Sequence, residues 1–168
     1  MDGRPDFAEW YLQTRPRIWG ALLALDGDLD HSREAADEAF ARAFERWDRV
    51  SRMEFPDSWV MTVARNQLRR RRRRLAIERA LTRRAAEDRS TSTGDTRTVE
   101  EWFARNSIWR SVAALPPRQR LAVALRYVAD LPQHEIAKQM NISTGTVAST
   151  LADARKRLSG VVDTFEEV

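Results

Sequence analysis

Between Leu131 and Leu158 two short helical patterns meet at a tight break: Pro132 to Met140, then Asn141-Ile142, then Ser143 to Arg155. This spacing reads as a helix-turn-helix, a device that lays its second helix in the major groove of DNA. Ala137 is small enough to let the two helices approach. Asn141 stands where the first helix must stop, and asparagine tolerates the left-handed backbone that such a stop requires. Ser143 is a good N-cap for the second helix. Val147 and Leu151, one turn apart, can pack back on Ile136 and Met140. The exposed candidates on the second helix are Thr144, Thr146, Ser149, Thr150 and Asp153, followed by Arg155, Lys156 and Arg157. An ordinary helical hairpin in a bundle would share much of this pattern.

A second chemistry sits upstream. Arg69 to Arg74 form an unbroken basic run, preceded by Arg65 and Asn66. Such a run suits phosphate, although a nuclear localisation signal or a solvated helix face would look similar. Six consecutive side chains on a helix spread over nearly two turns, so two or three could touch one phosphate track. Other chemistries lack their residues. The chain has no Cys and two His, at 31 and 134, which argues against thiolate or histidine-rich metal sites. No paired acid and base, glycine-rich phosphate loop or nucleophile motif is present. Neither an enzyme nor a cofactor is expected.

The elements that must position these residues are helical almost throughout, with no convincing strand. Phe7 to Leu25 has helical spacing and stops at Asp26-Gly27-Asp28. Ala36, Phe40, Ala43, Phe44, Trp47 and Val50 form one apolar stripe from Glu34 to Val50. Ser51 to Pro56 breaks it. Asp57 or Ser58 can cap the next helix, whose buried face is Val60, Val63, Ala64 and Leu68, and which runs on through the arginines towards Leu81. Residues 85–98 hold turn formers and no large apolar residue, the composition of a flexible linker. Thr98-Val-Glu-Glu101 has capping-box form. Leu115-Pro116-Pro117 then interrupts, and Pro117 suits the first turn of a helix through Val128. The fold class is therefore all-α, with two small helical domains, 1–84 and 99–168, joined by a flexible linker at 85–98.

Composition agrees with this division. Apolar residues make up 42% of the chain, enough for two small cores, and charged residues 32%, enough to solvate them. The net charge of +4 is concentrated in the first domain, where 18 basic residues face 14 acidic ones; the second has 9 against 8. Residues 1–6 are polar and lack the basic-then-apolar order of a signal peptide, and Ile18 to Leu25 is too short to span a bilayer. The cytoplasm, without membrane insertion, is the expected compartment.

The order of these parts resembles the extracytoplasmic-function (ECF, group 4) sigma factors of bacterial RNA polymerase, in flavour the actinobacterial SigE-like group. Three blocks carry the resemblance. Glu34-Ala-Ala-Asp-Glu-Ala-Phe-Ala-Arg-Ala-Phe-Glu-Arg-Trp47 is similar to the family's core-binding helix. Ser58-Trp-Val-Met-Thr-Val-Ala-Arg-Asn66 with the arginines looks like its promoter-melting helix. Leu115-Pro-Pro-Arg-Gln-Arg-Leu-Ala-Val-Ala-Leu-Arg-Tyr-Val128 with the helix-turn-helix is similar to its C-terminal domain.

The resemblance implies a mechanism. Glu34, Asp37 and Glu38 would meet the clamp coiled coil of the polymerase β′ subunit, a role for which a carboxylate face is suited. Solvent-facing charges of any amphipathic helix would look the same. The loop 51–56 would capture a flipped base of the −10 element, with Phe55 and Trp59 as its walls; Trp59 as a plain core residue is the competing reading. Arg65, Asn66, Arg69 and Arg70 would track the strand backbone. Ser143, Thr144, Thr146, Ser149, Thr150 and Arg155 would read the −35 element. The implied partners are core polymerase (β′ clamp and β flap), promoter DNA and an anti-sigma factor, with a monomer when free.

The chain departs from the family where Ala148, Thr150, Ala152 and Asp153 replace usual cations of the recognition helix, and where Met61 and Thr62 stand at commonly basic positions. Arg–guanine contacts are worth roughly 1–3 kcal/mol each in discrimination, so upstream binding is expected to be weak. Two other readings remain: a sigma-like decoy that occupies polymerase or an anti-sigma factor without initiating, and a stand-alone helix-turn-helix regulator.

Overall fold

The computed structural model describes residues 6–85 and 107–162. Among the described residues every regular element is a helix, gathered in two bundles. The first holds α1 (Phe7–Asp26), α2 (Leu29–Glu45), α3 (Trp47–Val50) and α4 (Pro56–Ala85). The second holds α5 (Ser107–Ala114), α6 (Pro117–Val123), α7 (Gln133–Met140) and α8 (Thr144–Val162). Apart from Ala85, which closes α4, the expected linker and the capping box at Thr98–Glu101 lie outside the described residues.

Local chemistry sets the boundaries of the first bundle. The Asp6 carboxylate accepts the Ala8 N–H at 3.2 Å and opens α1. Gly27 closes it at φ +77°, returning its N–H to the Leu23 carbonyl at 2.8 Å. One residue later the Asp28 carboxylate takes the His31 N–H at 2.8 Å and starts α2. The buried face of α2 is Ala35, Ala36, Ala39, Phe40 and Ala43. Four alanines leave room for α1 and α4 to pack close, and Phe40 fills the centre against Trp10 and Tyr11.

The apolar stripe expected from Glu34 to Val50 is broken in two. Arg46, at φ −121° and ψ 23°, is not helical, and it separates α2 from α3. Beyond the break Val50 is buried and Trp47 packs against the core, while Phe44, still within α2, is 65% exposed. A spacing argument assumes one continuous helix, and one non-helical residue is enough to shift the phase.

The start of α4 also differs from expectation. Pro56 opens the helix, so Asp57 and Ser58 lie inside its first turn. The Asp57 carboxylate instead faces α1, where it accepts the Trp10 indole N–H (2.7 Å), the Thr14 hydroxyl (3.3 Å) and the Arg17 guanidinium (2.8 Å). Residues 10, 14 and 17 share one face of α1, so a single carboxylate pins α4 along two turns of it. Val60, Met61, Ala64 and Leu68 then bury one side of α4 while Val63 is only half-buried.

In the second bundle Pro117 begins α6 as expected, but the helix widens over Ala124–Val128 into a π turn, with Ala129 N–H bonded to the Ala124 carbonyl at 3.0 Å. Asp130 then takes φ +55° and α7 begins at Gln133. The core here is Val112, Leu115, Ala122, Leu125, Leu131, Ile136, Val147, Leu151 and Ala154. The two bundles touch, with α1 packed on the π turn. Gly20 makes the approach possible, since a Cβ there would lie 3.2 Å from Val128 Cγ1. Among the described residues no helix is long and apolar enough to cross a membrane.

Candidate nucleic-acid interface

The helix-turn-helix forms as its spacing predicts. Asn141 holds φ +54° at the end of α7, and its left-handed turn sends the chain directly into α8. Ser143 Oγ accepts the Thr146 N–H at 3.1 Å and caps the new helix. Val147 and Leu151 are buried beside Ile136, with Met140 packed at their edge. The opposite face of α8 is open: Ser143, Thr144, Thr146, Ser149 and Arg155 are exposed and Thr150 half so. Ser149 and Thr150 both donate their hydroxyls to the Thr146 carbonyl, at 3.1 and 2.7 Å. Their lone pairs and the Thr150 methyl remain for a ligand.

On α4 the arginine run divides by direction. Arg72 reaches the nearly buried Asp26 carboxylate at 2.6 Å and the Leu25 carbonyl at 3.0 Å. Arg71 pairs with Glu34. These two tie α4 to its neighbours. Arg69, Arg70, Arg73 and Arg74 point outward without a partner among the described residues, as does Asn66. Arg65 is different. It is 7% exposed, and its guanidinium donates to Gln139 Oε1 at 2.8 Å. Burial, and then the neighbouring Arg69 charge, push it down to about 10, still cationic at neutral pH.

Phe55 and Trp59, both half-buried, do come together. With Met53, Ser58 and Thr62 they line an open groove of about 430 Å³ that Glu54 and, from α7, Glu135 and Lys138 also border. Met61 is fully buried, which explains why this chain has no cation there. Thr62 is exposed but turns its hydroxyl to the Ser58 carbonyl at 2.9 Å.

Glu34, Asp37 and Glu38 share the exposed side of α2. Each already has a partner. Glu34 pairs with Arg71, Asp37 with Arg15 at 3.4 Å, and Glu38 with Arg42 at 2.8 Å. Exposed pairs of this kind are worth roughly 0–1 kcal/mol, so a basic partner could take the carboxylates over at little cost.

Spacing did not reveal one group of site residues. Ser58, Glu135 and Gln139 meet at the contact between the bundles. Ser58 Oγ donates to Glu135 Oε2 at 2.6 Å, and Gln139 Nε2 lies 3.1 Å from both Ser58 O and Ser58 Oγ. Residues 135 and 139 stand one turn apart and so share a face of α7. That much was available in sequence; the partner of that face was not.

A basic helix closing one all-helical bundle and a helix-turn-helix closing the next define a two-module chain of the helix-turn-helix class. Comparison with known proteins agrees. The sigma-70 region 2 model matches residues 10–77, and the sigma-70 region 4 model residues 105–158. An uncharacterized protein of Rhizobium meliloti (strain 1021) is 30% identical over 92% of this chain, which spans only 38% of that relative's length. The ECF RNA polymerase sigma factor SigK of Mycobacterium tuberculosis (strain H37Rv) is 24% identical, over 94% of this chain and 86% of its own. The RNA polymerase sigma-E factor of Streptomyces antibioticus is 27% identical over 75% of this chain and 67% of its own. In fold, the chain is similar to the sigma factor RpoE of Bartonella quintana, solved with the anti-sigma factor NepR, at a TM-score of 0.69 and 18% identity over 95% of this chain and 98% of that one. The chain belongs to the sigma-70 family, as an ECF sigma factor.

Proposed function

We propose that this chain binds core RNA polymerase and directs it to promoters, with the first bundle holding the −10 element and the second reading the −35 element. The observation that carries this reading is the pairing of the two family regions in one chain with an exposed helix-turn-helix face on α8. In it, Glu34, Asp37 and Glu38 engage the β′ clamp, exchanging their internal arginine partners for basic groups of the clamp. Phe55 and Trp59 wall the base pocket. Arg65, Asn66, Arg69 and Arg70 follow the strand backbone, which rewards phosphate contact regardless of sequence. Ser143, Thr144, Thr146, Ser149, Thr150 and Arg155 face the upstream duplex, offering hydroxyls and methyls to the groove. The working domains are 1–84 and 99–168. The β flap and an anti-sigma factor complete the proposed partners.

Run-off transcription with core polymerase and a library of upstream genomic fragments tests this. Specific transcripts are expected, and Glu34→Arg/Asp37→Arg should abolish them. A second reading, a decoy that binds polymerase without initiating, draws on one feature: α8 carries no cation before Arg155. Tight core binding without a transcript from any fragment would select it.

A further inference from the structure

We infer that the cleft where α4 faces α6 is a binding site for a small anion carrying two or more linked phosphates, held by Arg65, Arg69, Arg72 and Arg120. The site stands independently of the function proposed above.

The cleft has a volume of about 360 Å³ and is bordered by the end of α1, the middle of α4 and the start of α6. Small ligands occupy cavities from roughly 300 Å³ upward. Positions 65, 69 and 72 share one face of α4, and Arg120 enters from α6.

Four guanidiniums thus meet one carboxylate, that of Asp26. It is 4% exposed and already committed, to Arg72 at 2.6 Å and to His31 Nδ1 at 3.5 Å. The other three cations have no counter-charge among the described residues. Arg69 forms no ion pair there. Arg65, 7% exposed, donates to a neutral amide oxygen, Gln139 Oε1, and burial with the Arg69 charge pushes it down to about 10. Arg120 donates through Nη2 to the Leu115 carbonyl at 3.2 Å, while its Nε is buried with no acceptor. A buried donor without a partner is uncommon, and a buried cation that faces a second cation is unfavourable until an anion joins them. Both defects border the same cleft, and one anion corrects both.

Geometry selects the kind of anion. Guanidiniums bind phosphate through paired N–H bonds. From position 65 to position 72 the forks spread over about 10 Å of helix axis, and Arg120 adds another from across the cleft. Forks spread this widely suit linked phosphates better than a single tetrahedral ion. Leu25, Pro117 and Leu121 wall the remainder, so an organic group attached to the phosphates would meet apolar surface. A strand along the outer face of α4 has no need of Arg120, which separates this site from the strand contacts proposed above.

Calorimetric titration of the full chain with sodium pyrophosphate, in phosphate-free buffer at fixed ionic strength, tests the site. One ion per chain should bind, about tenfold or more tighter than orthophosphate or sulfate, and should raise the Tm. Arg120→Gln should weaken binding about tenfold or more, and Arg120→Lys, which keeps the charge and loses the fork, nearly as much. Arg73→Gln/Arg74→Gln removes two charges from the same helix outside the cleft and should change the affinity by no more than about twofold. In the wild-type chain the Arg120 Nε–H resonance should move as pyrophosphate is added, a readout that needs no variant to fold. An unmoved Arg120 resonance, or equal weakening by Arg73→Gln/Arg74→Gln, would reduce the binding to diffuse attraction by a basic helix and overturn the site. Equal affinity for orthophosphate and pyrophosphate would overturn the diphosphate class. Single-stranded DNA that loses as much affinity as pyrophosphate in Arg120→Gln would make the cleft part of a strand path and overturn the small-ligand assignment.

Discussion

Helices α4 and α8 are the two long helices to which the proposed function assigns nucleic acid, and they are built on opposite plans. Ten arginines lie in α4, against three cations in α8, all beyond Ala154. The start of α4 is held by part-buried polar bonds to α1, through Asp57, and a buried one to α7, through Ser58. The start of α8 is held by a serine cap, and its outer face is exposed. Charge attracts any phosphate, whereas a face of hydroxyls and methyls gains only where shape fits. A chain that concentrates its cations on one module can locate DNA with it and use the other for weak discrimination.

The largest test of this contrast is the anchoring of α4. Asp57→Ala leaves the buried Trp10 indole N–H, Thr14 and Arg17 without their acceptor and should lower the stability of the first bundle by about 2–3 kcal/mol. Chemical denaturation followed by tryptophan fluorescence would measure it, and a loss below the error of the fit would show that α4 is held by apolar packing alone. The corresponding feature of the other module is the turn before α8. Asn141→Val places a β-branched residue at φ +54° and should cost about 1–2 kcal/mol, while Asn141→Gly should cost nothing. Equal losses from both would mean that the Asn141 side chain, not its backbone, holds the turn. Ser143→Ala removes the cap and should cost about 1 kcal/mol.

Salt sharpens the comparison without unfolding anything. Arg69→Ala/Arg70→Ala should reduce the slope of log affinity for a single strand against log salt by about 1.4, as expected for two lost phosphate contacts, whereas Thr146→Ala should leave the slope unchanged. A slope that responds to Thr146 instead would reverse the roles given to the two helices.

The smallest effect is on pH. Burial raises Glu135, but hydrogen bonds from Lys138 and Ser58, with the Lys138 and His134 charges, outweigh it and hold the carboxyl below its ordinary 4.5. A lowered folded value means that its contribution to the contact between α7 and α4 is complete above the ordinary value and is lost as pH falls through the lowered one. Glu54 beside Lys138, and Arg65 and Gln139 across Ser58, complete the charged and polar surroundings of this carboxylate. Scattering should show the chain opening in acid below about pH 4.5, and Glu135→Gln should remove that acid dependence. An unchanged acid profile in Glu135→Gln would assign the opening to other carboxylates.

Much of the architecture was legible because its signals are local. Gly27, Asn141, Ser143 and Pro117 act through φ, a cap or a missing N–H within a few residues of themselves, and the structure uses each in the expected way. The stripe is not one helix, because a spacing argument carries no notice of a single non-helical residue at Arg46, and Phe44, in phase with Phe40, is exposed all the same. Asp57 and Ser58 have the right type for caps, and only the arrival of α1 and α7 gives their side chains other partners.

The amino-acid sequence by itself determined that this chain is all-helical, that a basic helix ends one module and a helix-turn-helix the other, and which residues stand on the outer face of α8. Those properties follow from backbone preference and periodicity, which act over a turn or two. Only the tertiary structure decided that Glu135 and Gln139 meet Ser58 and Arg65, more than seventy residues away in the chain, and that two of the arginines serve the fold. Such contacts depend on how two packed surfaces fit, and nothing within a few residues of either partner records that.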